Sequence, residues 1–359
     1  MHVGLNLIFC VPGETGGMEV AARSLIPELA RQPGLRLTAF VNREAAGTIE
    51  GADEIVVPVR ASNRIEWVRG EQHHLPRLAM RAGCEVVHSL GSTAPLWGRF
   101  RRVTTIHDLI YLMAPEAHFG LRALGMRALV PAAARRSHRI IAVSRSTRDD
   151  LVERLHVDAA KIDVVPNGVA PPSETPTPEA QLRAALDLGD RTVVLCVGGK
   201  RPHKNTIRVI DALAQMADAP AFVVPGYPSP YDDELRARAA SLDVDLRLPA
   251  YLEQAQLDGL YALSACVVVP SLYEGFGLPV LEAMARGVPV ACSNRSALPE
   301  VAGGAALLFD PEDPAAIRAA IERILSGEGE ALRAKGRERA REFSWRHTAE
   351  LTVAAYRRA

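Results

Sequence analysis

Short apolar runs alternate along this chain with longer stretches whose apolar positions recur at helical spacing. In the first half the runs are Val3–Val11, Leu35–Val41, Glu54–Val57, Glu85–His88, Val103–His107, Arg139–Val143 and Ile162–Val165. Between them, Glu19–Arg31, Arg64–Arg81, Leu121–Ser137 and Arg145–Leu155 read as helices. This alternation predicts a parallel sheet with helices on both faces. The proline-rich stretch 171–178 breaks the pattern with the composition of a semi-rigid, extended linker. A second alternating unit follows: Thr192–Val197, a helix from Thr206, Ala221–Pro225, a helix from Asp232, Ala265–Val269, a helix carrying Glu282, Val288–Cys292 and Ala305–Phe309. Asp313-Pro314 is an N-cap and N1 pair, and Ile317, Ile321, Ile324 and Leu325 mark one apolar helix face. The pattern predicts an α/β chain of two doubly wound, Rossmann-like domains, 1–170 and 171–344, facing across a cleft. Ligands are expected at the carboxyl ends of the strands.

The length of 359 residues agrees with two domains, and 48% hydrophobic with 23% charged residues is ordinary for a globular protein. No apolar run reaches membrane-span length, and the opening residues read as a first strand and not as a signal peptide. The five scattered cysteines lack metal spacing and read as packing thiols in a reducing cytoplasm. The net charge of zero hides an asymmetry. Residues 1–168 hold 21 cations against 17 acids, and 169–359 hold 21 against 25. No basic block has the density of a nucleic-acid site.

Ser271–Leu278 carries the sharpest chemical signal. It follows the apolar run Cys266–Pro270 and leads into the helix with Glu282. Glu274 lies on the strand-to-helix loop and Glu282 about one turn into the helix. Gly275 and Gly277 permit close approach of a ligand, and the helix start offers free N–H donors. Two acids beside exposed amides suit a ligand bearing both hydroxyls and phosphate, such as a nucleotide-sugar. The alternative reading makes Glu274 a loop cap and Glu282 a solvated helix face. Gly198-Gly199-Lys200-Arg201-Pro202-His203-Lys204-Asn205 sits between a strand and a helix, with two or three cations converging, which suits a diphosphate. It lacks Walker spacing. A cationic helix start opposes the helix dipole, which weakens a purely structural reading. Gly13–Glu19, with Gly16-Gly17, follows the first strand. Thr104–Leu109, with His107 and Asp108, ends another strand, where His107 is expected to donate to a hydroxyl and Asp108 to orient it.

The run from Glu274 through Pro289 resembles the Glu-x7-Glu signature of retaining GT-B glycosyltransferases of family 4, the glycosyl transferases group 1. The resemblance extends to Arg201-x-x-Lys204-Asn205, Gly16-Gly17-x-Glu19, the His107-Asp108 pair and the closing segment from Phe343. It implies that Arg201 and Lys204 hold the donor diphosphate, that Glu282 binds ribose hydroxyls, and that Glu274 with Gly275, Phe276, Gly277 and Leu278 holds the transferred sugar. Gly16, Gly17 and Gly199 complete the donor contacts, and Glu19, His107 and Asp108 lie on the acceptor side. It also implies that the helix at 345–359 returns to the first domain.

The implied reaction is hexosyl transfer from a nucleotide-diphosphate sugar to an acceptor hydroxyl with retention, without a metal or other cofactor. Asp243-Val-Asp245 has the letters of a metal motif but reads as a turn. A nucleotide-sugar epimerase or hydrolase, and a silent sugar-nucleotide-binding subunit, are the rival readings. The basic, apolar stretch 119–139 is a candidate for peripheral contact with an anionic membrane, against a core helix with a solvated basic side. Donor base, sugar and acceptor are not encoded legibly.

Overall fold

The computed structural model describes residues 1–113 and 120–359, with backbone alone at 120–124. The chain divides into two compact units. Unit 1 comprises Met1–Gly168 and Phe343–Ala359, and unit 2 comprises Val169–Glu342.

Unit 1 runs β1 (His2–Leu7), α1 (Gly17–Ala30), β2 (Arg36–Val41), β3 (Asp53–Val56), α2 (Arg64–Arg69), α3 (Leu75–Arg81), β4 (Val86–Ser89), β5 (Arg101–Ile106), α4 (Ile110–Met113), α5 (Gly120–Arg136), β6 (Arg139–Ala142), α6 (Arg145–Leu155) and β7 (Ile162–Val164). Its described strands form one parallel sheet in the order β3-β2-β1-β4-β5-β6-β7. Successive side chains of a strand point to opposite faces. Accordingly Val3, Leu5, Leu37, Ala39 and Val41 feed one core, whereas Phe40 and Val87 feed another on the far face.

Unit 2 runs α7 (Glu179–Ala185), β8 (Val193–Leu195), α8 (Thr206–Leu213), β9 (Ala221–Val223), α9 (Tyr231–Ser241), β10 (Leu246–Arg247), α10 (Gln254–Leu263), β11 (Cys266–Val269), α11 (Leu278–Ala285), β12 (Val290–Ser293), α12 (Leu298–Ala302), β13 (Leu307–Phe309), α13 (Pro314–Arg323) and α14 (Gly329–Ala340). Its sheet, also parallel, has the order β10-β9-β8-β11-β12-β13. In both sheets the order reverses beside the first strand of the unit, at β1/β4 and at β8/β11. Loops leaving such a pair diverge and open a crevice for ligands.

The last helix, α15 (Trp345–Arg358), belongs to unit 1. Its stripe of Trp345, Ala349, Val353 and Tyr356 enters the core shared by α1 and β1. At its start the chain passes so close to Gly168 that a Cβ there would lie 2.3 Å from the Trp345 nitrogen, which requires glycine. Near its end, the Tyr356 hydroxyl and the Thr105 hydroxyl each lie 2.7 Å from one ring nitrogen of His88. Burial, aided by the His107 charge, pushes the His88 pKa down to about 3, so the ring is neutral and offers one donor and one acceptor. His88 therefore clips α15 to β4 and β5.

Three expectations from the sequence are corrected. The first strand ends at Leu7, because Asn6 Oδ1 accepts from the Ile8 amide and the chain turns at Cys10. Arg64–Arg81 is not one α-helix. A π-turn at Gly70–His74 separates α2 from α3, where Pro76 cannot donate to a continuing ladder. The pattern predicts a turn where strand β10 lies, because two residues carry no periodicity. Asp245, just before it, pairs with Arg191 and Arg247, so its carboxylate serves the fold.

Replacing Tyr356 by Phe removes one partner of a fully buried imidazole, which costs about 1–3 kcal/mol. Urea denaturation of Tyr356→Phe is expected to show this loss. An unchanged midpoint would show that His88 does not depend on the clip.

Candidate active site

The loops leaving β8 and β11 flank the reversal of the unit 2 sheet and bring the predicted residues together. After β8, Gly198 adopts φ +143°, which favours glycine, and a Cβ at Gly198 would meet nothing within 4 Å. The same space lies open at Gly199, whose nearest neighbour would be Arg201 Nε at 3.9 Å. A short 3-10 turn at Pro202–Lys204 follows, closed by Asn205 in the left-handed region. Asn205 is buried there and donates to the carbonyls of Pro270 and Pro311, at 3.1 and 2.7 Å. It thereby ties the first loop to the loop after β11.

Across the reversal, Lys204 Nζ donates to Glu274 Oε1 at 2.6 Å. The Ser271 hydroxyl donates to the same oxygen at 2.7 Å, and the Glu274 amide donates to Ser296 Oγ at 2.9 Å. Burial works to raise the Glu274 pKa. The Lys204 charge, the bonds from Lys204 and Ser271, and the charge of His203 outweigh it and hold the carboxyl below its ordinary range. Glu274 is therefore a preorganised carboxylate beside an ammonium, with the exposed side chain of Arg201 on the same loop. Gly277 caps α11 at φ +107°, and a Cβ there would lie 2.6 Å from Leu298 Cδ2. Phe276 is buried in the unit and Leu278 is half-buried at the helix start.

Glu282 lies in the second turn of α11. Its Oε2 accepts from the hydroxyl of fully buried Tyr261 at 2.9 Å. Burial, together with the Asp258 charge, raises the Glu282 pKa against the Tyr261 bond and the Arg286 charge. The two acids thus differ in electrostatic setting: Glu274 is held charged by a cation, whereas Glu282 is held by a neutral phenol.

Lys200 departs from the expected convergence of cations. Its side chain is 1% exposed, pairs with Asp232 at 3.0 Å and donates to the Gly226 carbonyl at 3.0 Å. Ser229 Oγ donates to the Lys200 carbonyl at 2.9 Å. Lys200 therefore fastens the loop after β9 to the loop after β8. Beyond these bonds, Tyr227 and Tyr251 stack with centroids 4.9 Å apart at the ends of β9 and β10, both about half exposed. Neither tyrosine stands out in the sequence, because only the folded sheet edge brings them together.

In unit 1 the loops leave β1 and β4. Gly16 caps α1 with φ +64°, a conformation suited to glycine, and Gly17 opens the helix. The Glu19 carboxylate is occupied within the loop, accepting from the Gly13 amide at 2.9 Å and from Arg23 Nε at 2.8 Å. It shapes the turn that leads into α1. His107 Nε2 lies 2.8 Å from the Leu90 carbonyl and donates to it, so the ring is oriented by that carbonyl. Burial lowers the His107 pKa, opposed by the Leu90 bond and the Asp108 charge. In the neutral ring, with Nε2 donating to Leu90, Nδ1 is the acceptor nitrogen. Its ring lines a cavity of about 20 Å³ with Leu90, Thr105 and Trp345, room for a water molecule. Asp108 Oδ1 accepts from the Ile110 amide at 3.0 Å and starts α4.

The sequence also gave no hint of Glu71. The π-turn turns this acid inward, where Asn6 Nδ2, Thr93 Oγ1 and Gln72 Nε2 donate to it at 2.9, 2.8 and 3.0 Å. Burial raises its pKa against these bonds. Glu71 and His107 thus brace opposite ends of the 90–93 loop, where Ser92 takes φ +66°. The helical period of Arg64–Arg81 conceals the turn that buries Glu71. Of the candidate membrane stretch 119–139, Phe119 lies outside the described residues. Arg139 pairs at 2.7 Å with Asp163, an ion pair internal to unit 1. Among the described residues no helix is long and apolar enough to cross a membrane.

Two parallel-sheet units, each reversing its strand order beside its first strand, define a doubly wound α/β architecture. Residues 15–171 match the family model Glycosyltransferase Family 4, and residues 179–343 match Glycosyl transferases group 1. The chain is 33% identical over 269 residues to the O-antigen chain mannosyltransferase B of Escherichia coli, covering 72% of this chain and 70% of that one. Sucrose-phosphate synthase from Thermosynechococcus elongatus superimposes with a TM-score of 0.81 at 21% identity, covering 99% of this chain and 98% of that one. Anabaena HepE in complex with UDP-glucose gives 0.78 at 19% identity, covering 99% of each. The fold is GT-B, and the chain belongs to the family 4 glycosyltransferases, glycosyl transferases group 1.

Lys204→Met leaves a buried carboxylate without its cation, so burial then raises the Glu274 pKa. In the wild type the pair's stabilisation is fully present above the ordinary glutamate value and is lost as pH falls through the lowered folded value. The variant is expected to melt below wild type near neutral pH, with the gap closing as acid protonates Glu274. A gap independent of pH between 7 and 4 would contradict the pairing.

Proposed function

We propose that this glycosyltransferase moves a hexose from a nucleotide-diphosphate sugar to an acceptor hydroxyl, with retention at the anomeric carbon and without a metal. The observation that carries the reading is the 2.6 Å Lys204–Glu274 pair across the unit 2 sheet reversal, beside glycines that leave open space. Departure of a nucleoside diphosphate concentrates negative charge on its outer phosphate. Lys204 and Arg201 stabilise that charge, and the amides of the Gly198-Gly199 loop add donors. Glu274, kept ionised by Lys204, accepts from hydroxyls of the transferred sugar. It sits where a sugar hydroxyl and a phosphate oxygen divide the Lys204–Glu274 contact between them. Glu282 offers its second carboxylate oxygen to the ribose, and the stacked Tyr227 and Tyr251 face the base end.

The developing positive character at the anomeric carbon is matched by the leaving phosphate, which also takes the acceptor proton on the same face. No opposed protein nucleophile is required for retention by this route. The acceptor-side contacts are assigned to Glu19, His107 and Asp108, and Gly16 and Gly17 are assigned to the donor. The mannosyltransferase relative and HepE bound to UDP-glucose support a nucleotide-hexose donor. A polysaccharide, a glycolipid or a secondary metabolite supplies the hydroxyl.

The test starts with a thermal-shift panel of UDP-, GDP-, ADP- and TDP-sugars, since a ligand stabilises the state it binds. The donor so found is then followed for slow hydrolysis and for transfer. Glu274→Ala and Lys204→Ala are expected to lose about 10²-fold or more in turnover while remaining folded. Variants turning over like wild type would remove the pair from the reaction.

A further inference from the structure

Glu282 is held by a side chain on another helix. Tyr261 of α10 lies beneath it, fully buried, and donates its hydroxyl to Oε2 at 2.9 Å. The Arg286 guanidinium sits 5.1 Å from the Tyr261 ring centroid, and its Nη1 donates to the Glu282 carbonyl at 3.1 Å. Arg286 Nε donates to Asp258 Oδ1 at 2.5 Å, with side chains only 5% and 1% exposed. Asp258 Oδ1 also accepts from Gln254 Nε2 at 2.8 Å, and its Oδ2 accepts from the Ser173 amide at 2.7 Å. The tyrosine is therefore clamped between a cation above its ring and a carboxylate at its hydroxyl. The clamp is anchored to the proline-rich segment that opens unit 2.

A carboxylate on an α-helix ordinarily samples several rotamers, and fixing it costs side-chain entropy. Fixing one oxygen from below leaves the other aimed in a single direction. That suits two adjacent hydroxyls on one ring, which demand a fixed acceptor. A neutral donor is also better here than a lysine. It holds the carboxylate in place without neutralising its charge, so the acid keeps its strength as an acceptor for the ligand.

We propose that Tyr261, locked by the Arg286–Asp258 ion pair, is the positioning residue that aims Glu282 at the vicinal hydroxyls of the nucleotide. It thereby makes the site select ribonucleotide over deoxyribonucleotide donors. This rests on the reading of Glu282 as the ribose contact. Glu282 faces Tyr261 and Asp258 from α10 and Arg286 from its own helix. Helix α14, which also packs on α11, sends Arg333 and Arg337 to Gly287 at the far end of α11.

The experiment compares calorimetric affinities of a nucleoside diphosphate and its 2′,3′-dideoxy counterpart, using whichever of UDP, GDP or ADP stabilises the wild type. Wild type is expected to favour the ribose form by tenfold or more, the scale of hydrogen bonds to a charged group. Tyr261→Phe keeps the ring under Arg286 and is expected to fall to within about threefold of parity, chiefly by weaker ribonucleotide binding. The preference is expected to vanish on acidification as Glu282 protonates. The residual preference of Tyr261→Phe should vanish at a higher pH than in wild type, because the lost bond was lowering the Glu282 pKa. A merely structural tyrosine would lower the melting temperature and leave the ratio alone. Arg286→Lys, which keeps the charge but loses the guanidinium over the ring and its Nε bond to Asp258, is expected to give an intermediate ratio and decides the matter should Tyr261→Phe not fold. A wild type that prefers ribose, with both variants retaining the full preference, overturns the positioning role alone. A wild type without preference, or a Glu282→Gln variant that keeps it, overturns the reading of Glu282 and the proposal with it.

Discussion

The contact between Lys204 and Glu274 is the constraint around which unit 2 is arranged. A carboxylate this buried is costly unless a cation and further donors stand against it. The cation comes from the loop after β8 and the acid from the loop after β11, so the two loops must meet. Parallel pairing of β8 with β11 brings their starts together, and Asn205 fastens them by bonds to two carbonyls. The glycines on both loops follow from the same demand. Gly277 must pass Leu298 at a distance no side chain permits, and Gly198 takes a backbone angle that side chains disfavour.

The other charged groups divide by how they are compensated. Glu274 is ionised because a cation touches it. Glu282 is buried against a phenol, with a cation one layer away, and its pKa moves in the opposite direction. Lys200 adjoins the same glycines as Arg201 but is buried on Asp232 and serves the loop geometry. The difference between neighbouring cations is one of depth. Arg201 remains exposed, whereas the Lys200 side chain is turned into the unit and must find its countercharge there.

Unit 1 is braced by polar contacts of a different kind. His88 and His107 are both neutral, and their ring nitrogens hold Tyr356, Thr105 and the Leu90 carbonyl. Glu71, turned inward by a π-turn, gathers Asn6 and Thr93. These bonds fix the loops at the carboxyl ends of β1, β4 and β5.

By itself the sequence determined the two alternating units, their parallel sheets, the presence of Glu274, Arg201 and Lys204 on strand-to-helix loops and that of Glu282 on the helix that follows. Those features are local: apolar runs set strands, glycine and proline set turns, and motif spacing sets which loop bears which group. It also determined the family, because the motif is contiguous. The tertiary structure alone decided the partners. Tyr261 reaches Glu282 from another helix, Lys200 turns inward beside an exposed Arg201, and His107 points Nε2 at Leu90. Nor could helical period reveal that Gly70–His74 is a π-turn, since the turn is bought by bonds to Asn6 and Thr93, distant in the chain. Hydrogen bonding and charge compensation depend on which groups meet in space, and only the packed sheets and helices fix that.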